Sequence, residues 1–266
     1  MHAEADPAAA AQPLGHLERL RAAELETASS WLPFPGRVLE LGGGSGFQAS
    51  LMASKGCQVE SLDVFVEPGV TGRYHAVQHY DGVHLPFADR SFDVVFSSNV
   101  LEHVRDLPAL LREVRRVLRP EGVAVHILPT PAWRIWTSLA HYPFLLKYAL
   151  GAGLPASVAG DASGATRPVR TPRNWRELLW KVLAAGPHGE YPSAWSELWY
   201  FSRRRWRALF IEQGMELRAD EPTHLFYTGY CLVTGLPLPV RRGLSALLGS
   251  ACRIYVMRAA GRGDAR

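Results

Sequence analysis

The chain has 266 residues, of which 47% are hydrophobic and 20% charged, and it contains 24 Gly and 19 Pro. This balance excludes a disordered chain and supplies enough apolar material for a full hydrophobic core. The formal net charge of +4 comes from 29 basic and 25 acidic residues, so charge alone predicts no nucleic-acid partner.

The three cysteines, Cys57, Cys231 and Cys252, lie far apart in the sequence. They predict neither a disulfide framework nor a cysteine-based zinc site, and the sequence indicates no metal ligands. Because disulfides are not expected, we expect a cytoplasmic location. Residues 1–13 are rich in alanine and lack the basic and apolar regions of an export signal. Every long apolar stretch is interrupted by polar residues, glycine or proline, so we expect no membrane-spanning helix.

Periodicity gives the elements in chain order. Leu17, Leu20 and Leu25 predict an amphipathic helix over 15–31. Short apolar runs predict strands at 38–41, 59–64, 75–79, 92–97, 123–128, 215–218, 223–233 and 253–258. Helical spacing follows Gly46 and the caps Asp106 and Asn174. Trp206, Leu209 and Phe210 predict a further helix that ends at Gly214. The alternation predicts an α/β fold, a doubly wound and mostly parallel sheet with ligand sites beyond the carboxyl ends of its strands.

A glycine-rich turn joins the first predicted strand to the following helix, with Glu40, Gly42, Gly44 and Gly46 at alternate positions. It lacks the third glycine of a dinucleotide fingerprint, because Phe47 stands there, and no phosphate-loop Lys follows. An anionic Glu40 would repel a pyrophosphate but suits a ligand that carries an ammonium or sulfonium group. The alternative for the glycines alone is a tight connection without a ligand.

Acidic residues also end the next two predicted strands. Asp63 is placed to accept hydrogen bonds from the two hydroxyls of a ribose, although by itself it could also be a helix N-cap. Asp81 and Gly82 follow the weak third strand, where they could bind an adenine ring. Together with Glu40, these positions predict a site for an adenosine with a zwitterionic tail.

Further motifs follow in order: Leu85-Pro86-Phe87, Ser91 to Val95, Asn99 to Val104, and Arg116 to Gly122. With the glycine turn and the two aspartates, residues 38–131 resemble the class I S-adenosylmethionine-dependent methyltransferases, in particular the small-molecule, ubiquinone-biosynthesis-like branch. The resemblance implies a seven-stranded Rossmann-like sheet with an antiparallel last strand. It also implies S-adenosylmethionine as cofactor, held by Glu40, Gly42, Gly44, Gly46, Asp63, Asp81 and Gly82, with Asn99 near the methionine portion. The sequence departs from the family at 65–74, which is too short for the usual helix.

Methyl transfer from a sulfonium to a hydroxyl requires a base on the acceptor side. His103 is the first candidate because it follows the fourth strand, and His126, His141 and His188 come next. A helix-start histidine bonded to a backbone carbonyl is the alternative for His103, and a core histidine is the simpler interpretation of His126.

The chain divides into an N-terminal tail and helix (1–35), a cofactor-binding core (36–131), a helical insertion after the fifth strand (132–201) and a C-terminal helix with closing strands (202–266). The insertion is expected to cover the acceptor site. Its candidate acceptor contacts are Trp133, Trp136, His141 and Glu190, together with Tyr142, Phe144 and Tyr191; core packing is the alternative for the aromatic residues. Arg203 to Arg205 are more simply a solvated helix start than a phosphate site.

We therefore expect a cytoplasmic methyltransferase acting on a small or lipid-linked acceptor, most simply at the oxygen of a sugar, glycolipid or natural-product intermediate. The expected partners include no nucleic acid, and a weak contact with a membrane surface is expected. The alternatives are transfer to carbon or nitrogen, a non-catalytic protein that binds S-adenosylmethionine, and an RNA-binding protein on the same sheet.

Overall fold

A computed structural model describes residues 15–65, 74–149, 186–230 and 233–260 of the chain. The helices are α1 (His16–Ala28), α2 (Phe47–Ser54), α3 (Leu107–Val117), α4 (Pro131–Ala149), α5 (Ala194–Tyr200), α6 (Arg203–Glu212) and α7 (Leu238–Leu248). The strands are β1 (Arg37–Leu41), β2 (Gln58–Asp63), β3 (Gln78–His79), β4 (Phe92–Ser98), β5 (Leu118–Pro129), β6 (Met215–Pro222) and β7 (Cys252–Ala259).

The strands form one seven-stranded sheet in the order β3-β2-β1-β4-β5-β7-β6. Strands β1 to β5 pair in parallel, whereas β7 is antiparallel to both of its neighbours. The predicted fold class, including the antiparallel last strand, is confirmed. The order reverses between β1 and β4, which is where ligands bind in sheets of this topology.

The core forms because the central strands are apolar on both faces. Every residue of β1 after Arg37 is buried, and so are Val94, Val95 and Phe96 in β4. Helix α3 begins at the cap Asp106, whose side chain accepts from the Ala109 N–H at 3.0 Å, and it buries its leucine and valine face on the sheet. Continuous apolar strands of this kind are typical of parallel sheets covered on both faces.

One predicted strand is wrong within the part that the structure describes. Residues 223–230 form no strand, and the buried Arg241 side chain binds backbone carbonyls within this segment and just after it. Its guanidinium donates to Phe226 O at 3.0 Å, to Leu236 O at 2.9 Å, and to Val233 O. The segment is therefore fixed to α7, a helix that the sequence analysis did not predict.

The predicted loop at 151–173 and the helix capped by Asn174 lie outside the described residues. The segment 65–74, where the sequence departs from the family pattern, is described only at its two ends. Among the helices that are described, none combines the length and apolar character needed to cross a membrane.

Candidate functional site

The glycine turn lies at the carboxyl end of β1, where it closes onto β2. The N–H groups of Gly42 and Gly43 both donate to Leu62 O, at 2.7 and 3.0 Å. Gly42, Gly44 and Gly46 all have positive φ, so side chains there would be strained. A Cβ on Gly46 would also collide with the backbone of His75, which crosses over the turn. The turn therefore depends on glycine for both conformation and close packing.

Glu40 is buried beneath this turn, with an exposed fraction of 2%. Its carboxylate accepts a hydrogen bond from Ser61 Oγ at 2.6 Å. Burial raises the pKa of Glu40 to about 7; the Ser61 hydrogen bond opposes this effect and the nearby Asp63 carboxylate adds to it. A cation bound at this edge would favour the ionised form.

Asp63 ends β2, and its carboxylate faces the glycine turn. One oxygen accepts from the Gly44 N–H at 2.8 Å, and the other accepts from the Phe65 N–H at 2.9 Å. Each carboxylate oxygen has a further lone pair. Asp63 therefore holds the turn in place and keeps acceptor capacity for a hydroxylated ligand.

Asp81 and Gly82 follow β3 in an exposed loop. The Asp81 carboxylate accepts from the Val83 and His84 N–H groups at 2.8 and 2.7 Å, and it pairs with the His84 ring at 2.6 Å. The His84 hydrogen bond, with those of the two N–H groups, lowers the pKa of Asp81 to about 2. These bonds shape the loop in which Gly82 has a φ of 88°.

Asn99 follows β4 with a φ of 56°, a left-handed conformation that asparagine tolerates better than most residues. Its N–H donates to Ile127 O at 2.8 Å, and its side-chain oxygen accepts from Cys252 Sγ at 3.3 Å. Tyr227 links this thiol to helix α1, because its hydroxyl lies 3.0 Å from Cys252 Sγ and donates to Glu24 at 2.5 Å. Asn99 thus belongs to a buried polar network that reaches the N-terminal helix.

Glu102, His103 and His188 form a second group, which we call the Glu-His-His cluster. Glu102 and His103 lie in the short 3-10 helix Leu101–His103 that follows Asn99. Both imidazole Nε2 atoms lie 3.9 Å from Glu102 Oε1, and the two rings meet edge to face at 4.7 Å. Glu102 is 1% exposed, whereas the side chains of His103 and His188 are 26% and 20% exposed. The carboxylate of the cluster is therefore buried, whereas its two imidazoles are partly accessible.

Burial sets the charges in this cluster. Burial raises the pKa of Glu102 to about 8, whereas a hydrogen bond from the backbone N–H of Glu102 and the charge of Arg21 act to lower it. It lowers the pKa of His188 to about 3, and the neighbouring His103 and Arg134 add to this effect. His188 is therefore neutral near pH 7.

A loop at the end of the insertion brings His188 to the cluster. Glu197 of α5 accepts from the His188 and Gly189 N–H groups at 2.6 and 2.8 Å, and it pairs with Arg134 of α4 at 3.2 Å. Arg134 and Glu197 are both buried. The Glu190 N–H then donates to Glu102 O at 3.0 Å, which joins the loop to the cluster.

The four predicted acceptor contacts do not all lie together. Trp133 is buried against the His188 ring at 4.7 Å, and the Glu190 carboxylate accepts from Arg105 at 3.2 Å, so both lie next to the Glu-His-His cluster. Trp136 instead donates from Nε1 to Leu248 O at 2.9 Å, at the end of α7. His141 bonds through Nδ1 to Tyr230 OH at 2.8 Å.

Two of the simpler interpretations agree with the structure. His126 is fully buried in β5, with Nδ1 2.7 Å from Ser97 Oγ, as a core histidine should be. Arg203 starts α6 and pairs with Asp220 at 2.5 Å, and Arg205 lies 3.8 Å from Glu212. These arginines stabilise the helix and the adjoining edge of the sheet.

The sequence analysis gave no role to Glu102, Glu24, Tyr227 or Cys252. Glu102 was present in the motif that follows Asn99, and its acidic side chain before His103 was the available signal. Glu24 and Tyr227 are 203 residues apart. No local pattern connects them, so only the fold brings them together.

Comparison with known proteins shows which family and fold this chain resembles. A family model described as a methyltransferase domain matches residues 14–219. An uncharacterized methyltransferase of Mycobacterium sp. (strain KMS) is 37% identical over 136 residues, which are 44% of this chain and 49% of that protein. A ubiquinone biosynthesis O-methyltransferase of Sodalis glossinidius is 33% identical over 122 residues, 42% of this chain and 48% of that protein. This chain thus spans about half the length of these relatives.

A solved S-adenosylmethionine-dependent methyltransferase from Mesorhizobium loti shares the fold, with a TM-score of 0.51 at 18% identity over 89% of this chain and 97% of that one. The family model covers most of the chain, and the sheet order, the glycine turn and the acidic strand ends occur together. The chain therefore belongs to the class I S-adenosylmethionine-dependent methyltransferases.

Proposed function

We propose that the protein transfers a methyl group from S-adenosylmethionine to an oxygen atom of a small or amphiphilic acceptor, such as a sugar, glycolipid or natural-product intermediate. The observation that carries this proposal is the position of the Glu-His-His cluster, which begins three residues after Asn99 at the carboxyl end of β4. Donor-binding and proton-handling groups then lie at the same edge of one sheet. Similarity to a ubiquinone biosynthesis O-methyltransferase supports oxygen as the methylated atom.

For the cofactor, we propose that Asp63 accepts from the ribose hydroxyls and that Asp81 and Gly82 border the adenine. Gly42, Gly44 and Gly46 would let the backbone approach the methionine portion, with Asn99 beside it. Glu40 would stabilise the cationic tail from below the turn. Support comes from the carboxylates at the ends of β1 and β2 and from the glycine conformations.

When bound, S-adenosylmethionine supplies an electrophilic methyl group on a sulfonium. The protein's part is to hold the acceptor oxygen in line, to exclude water and to accept or displace the hydroxyl proton. His103 is the member of the Glu-His-His cluster with the most exposed side chain, and we propose it as the residue that meets the acceptor hydroxyl. It could act as a free base or as part of a cation site.

We further propose the four-part division of the chain, with the insertion at 132–201 covering the acceptor site. The loop that bonds to Glu102 supports this, because it places His188 and Glu190 beside His103. Trp133 would then form one wall of the acceptor pocket. Trp136 and His141 are proposed as more distant contacts for an extended acceptor.

An amphiphilic acceptor agrees with the outer surface of α4. Ile135, Leu139, Tyr142 and Leu146 are between 46% and 61% exposed and recur at helical spacing. We propose a weak membrane-surface contact through this face, a cytoplasmic location, and no nucleic-acid partner. Co-sedimentation with lipid vesicles tests the first of these, and no increase over a Leu139→Ser, Leu146→Ser double variant would reject it.

The decisive experiment has two steps. Isothermal titration calorimetry with S-adenosylhomocysteine should give one site per chain, and absence of binding would reject the whole proposal. Incubation of labelled donor with fractionated extracts should then label a small molecule, and NMR should identify the methylated atom. Tight donor binding with no labelled product would favour the non-catalytic alternative. A methyl group on carbon or nitrogen would correct the proposed acceptor atom. Label that nuclease treatment removes would favour an RNA acceptor.

A further inference from the structure

The Glu102 carboxylate is buried without a hydrogen bond from any other residue that the structure describes. Among the residues that the structure describes, neither of its oxygens has a hydrogen-bond partner in another side chain or backbone group. Arg21, whose charge acts on Glu102, is itself 2.5 Å from Glu24. A bound cation would stabilise a carboxylate in such surroundings.

Two imidazoles lie on the side of this carboxylate where a cation would bind. His103 Nε2 and His188 Nε2 are each 3.9 Å from Glu102 Oε1, and one ligand atom from each of the three residues fits within 4.8 Å. Ligand atoms about 2.0–2.2 Å from a shared ion lie roughly 3 Å or slightly more apart. Side-chain rotations that move the ligand atoms by roughly 1–1.5 Å would therefore bring all three into coordination distance.

The backbone around the cluster is held in place from both directions. His103 N donates to Val100 O at 2.9 Å, and the Glu190 N–H donates to Glu102 O at 3.0 Å. Gly189 passes so close to the Glu102 carbonyl that a Cβ there would collide with it. With the Arg134–Glu197 pair behind the His188 loop, the backbone that carries the three side chains is fixed by surrounding bonds, which favours a preorganised metal site.

We propose that Glu102, His103 and His188 bind a divalent transition-metal ion that holds the acceptor hydroxyl for methylation. One carboxylate with two imidazoles favours Zn²⁺, Mn²⁺, Co²⁺ or Fe²⁺ over Ca²⁺ and Mg²⁺, which prefer all-oxygen sites. Three protein ligands leave coordination positions for an acceptor oxygen and water. This inference rests on the proposed function for its role, but the ion-binding site can be tested without it.

The step that such an ion would assist is balanced as follows. The metal-bound hydroxyl loses its proton to solvent water, because a divalent ion lowers the pKa of a bound O–H group. The oxygen then forms a bond with the methyl carbon of the donor, and the carbon–sulfur bond breaks with its electron pair on the thioether sulfur. His103 serves here as a ligand, so no free imidazole base is required.

The test uses the untagged 266-residue chain after treatment with a chelator. Calorimetric titration with Zn²⁺, and with Co²⁺ followed by its visible absorption, should give one site whose spectrum shows nitrogen ligands. Glu102→Gln and His188→Asn should each weaken binding by at least thirtyfold. The matched control is His224→Asn, which changes an exposed histidine at a φ of 54° outside the cluster and should bind as the parent does.

Circular dichroism and urea unfolding show whether each variant is folded, so a lost metal site is separable from a misfolded chain. If the chelated parent binds neither Zn²⁺ nor Co²⁺, or if folded Glu102→Gln and His188→Asn variants bind them normally, the proposal is wrong. Metal binding in a protein that binds no S-adenosylhomocysteine would keep the site and reject the proposed function. Donor binding without metal binding would keep the proposed function and reject the metal site.

Discussion

Replacing Asp63 by alanine should affect two different properties of the protein. The carboxylate holds the Gly44 N–H at 2.8 Å and the Phe65 N–H at 2.9 Å, and we propose that it also accepts from the ribose. Loss of the protein bonds should lower the free energy of unfolding by about 1–3 kcal/mol, since two partly buried donors lose a charged acceptor. Loss of the ribose bonds should weaken donor binding by about 1.5–3 kcal/mol, or roughly 10–150-fold in Kd.

The two effects require separate assays. Urea unfolding without ligand measures the first, and calorimetric titration with S-adenosylhomocysteine measures the second under conditions where the variant is folded. The matched control is Asp93→Asn, which alters a carboxylate that accepts from Arg37 N at 2.8 Å, near the opposite end of the sheet's strands. That variant should lose stability while keeping the parent's affinity for S-adenosylhomocysteine.

The Asp63 reasoning fails if the folded alanine variant binds S-adenosylhomocysteine as tightly as the parent. The ribose would then lie elsewhere, and Asp63 would serve only to hold the glycine turn. Equal affinity losses in Asp63→Ala and Asp93→Asn would also refute it, because the loss would then reflect general destabilisation.

Three further predictions concern the donor side and the sheet edge. Gly46→Ala, at a φ of 75° and against the His75 backbone, should cost about 1–3 kcal/mol in urea unfolding, whereas Gly243→Ala, in open space within α7, should stabilise by roughly 0.5–1 kcal/mol. Burial raises the pKa of Glu40 to about 7, so the stabilising contribution of its protonated carboxyl is complete below about pH 4.5 and is lost as pH rises through 7. The free energy of unfolding of Glu40→Gln relative to the parent should therefore increase by up to about 3 kcal/mol from pH 5 to 8. A difference that does not change with pH would contradict the assignment. Burial alone would raise the pKa of Asp220, but hydrogen bonds from Arg203 and Arg253 lower it. The stability that this carboxylate contributes is therefore present above about pH 4 and lost in more acidic solution. Acid unfolding curves should show this loss in the parent and not in Asp220→Asn.

The sheet could be predicted because its strands follow local rules. Val38 to Leu41 and Phe92 to Ser97 are short apolar runs, and a cap or a glycine marks where the intervening helices begin or end. The wrong strand prediction at 223–233 comes from the same local rule, since that run is apolar enough for a strand. Arg241, which follows in the chain, takes its carbonyls through contacts that periodicity does not encode.

The candidate site was predicted unevenly for a related reason. Glu40, Asp63 and the glycines lie at the carboxyl ends of neighbouring strands, so a topology predicted from sequence already brings them together. Glu102 acquires its unusual environment only when a loop 88 residues later in the chain folds onto it, as the Glu190 N–H to Glu102 O bond shows. Such burial of a carboxyl group is a property of the folded chain and is not encoded in a local sequence pattern.

The donor and acceptor sides differ in how the chain builds them. The proposed donor side is formed largely by the ends of consecutive strands and the turns that follow them, between Glu40 and Asp81. The proposed acceptor side combines the end of β4 with the His188 loop, which is bonded to the buried Arg134–Glu197 pair. We therefore expect that a change in the insertion can alter the acceptor side while the proposed cofactor contacts stay intact. For this reason the donor can be inferred from the family, whereas the acceptor must be inferred from the side chains that the insertion places against Glu102 and His103.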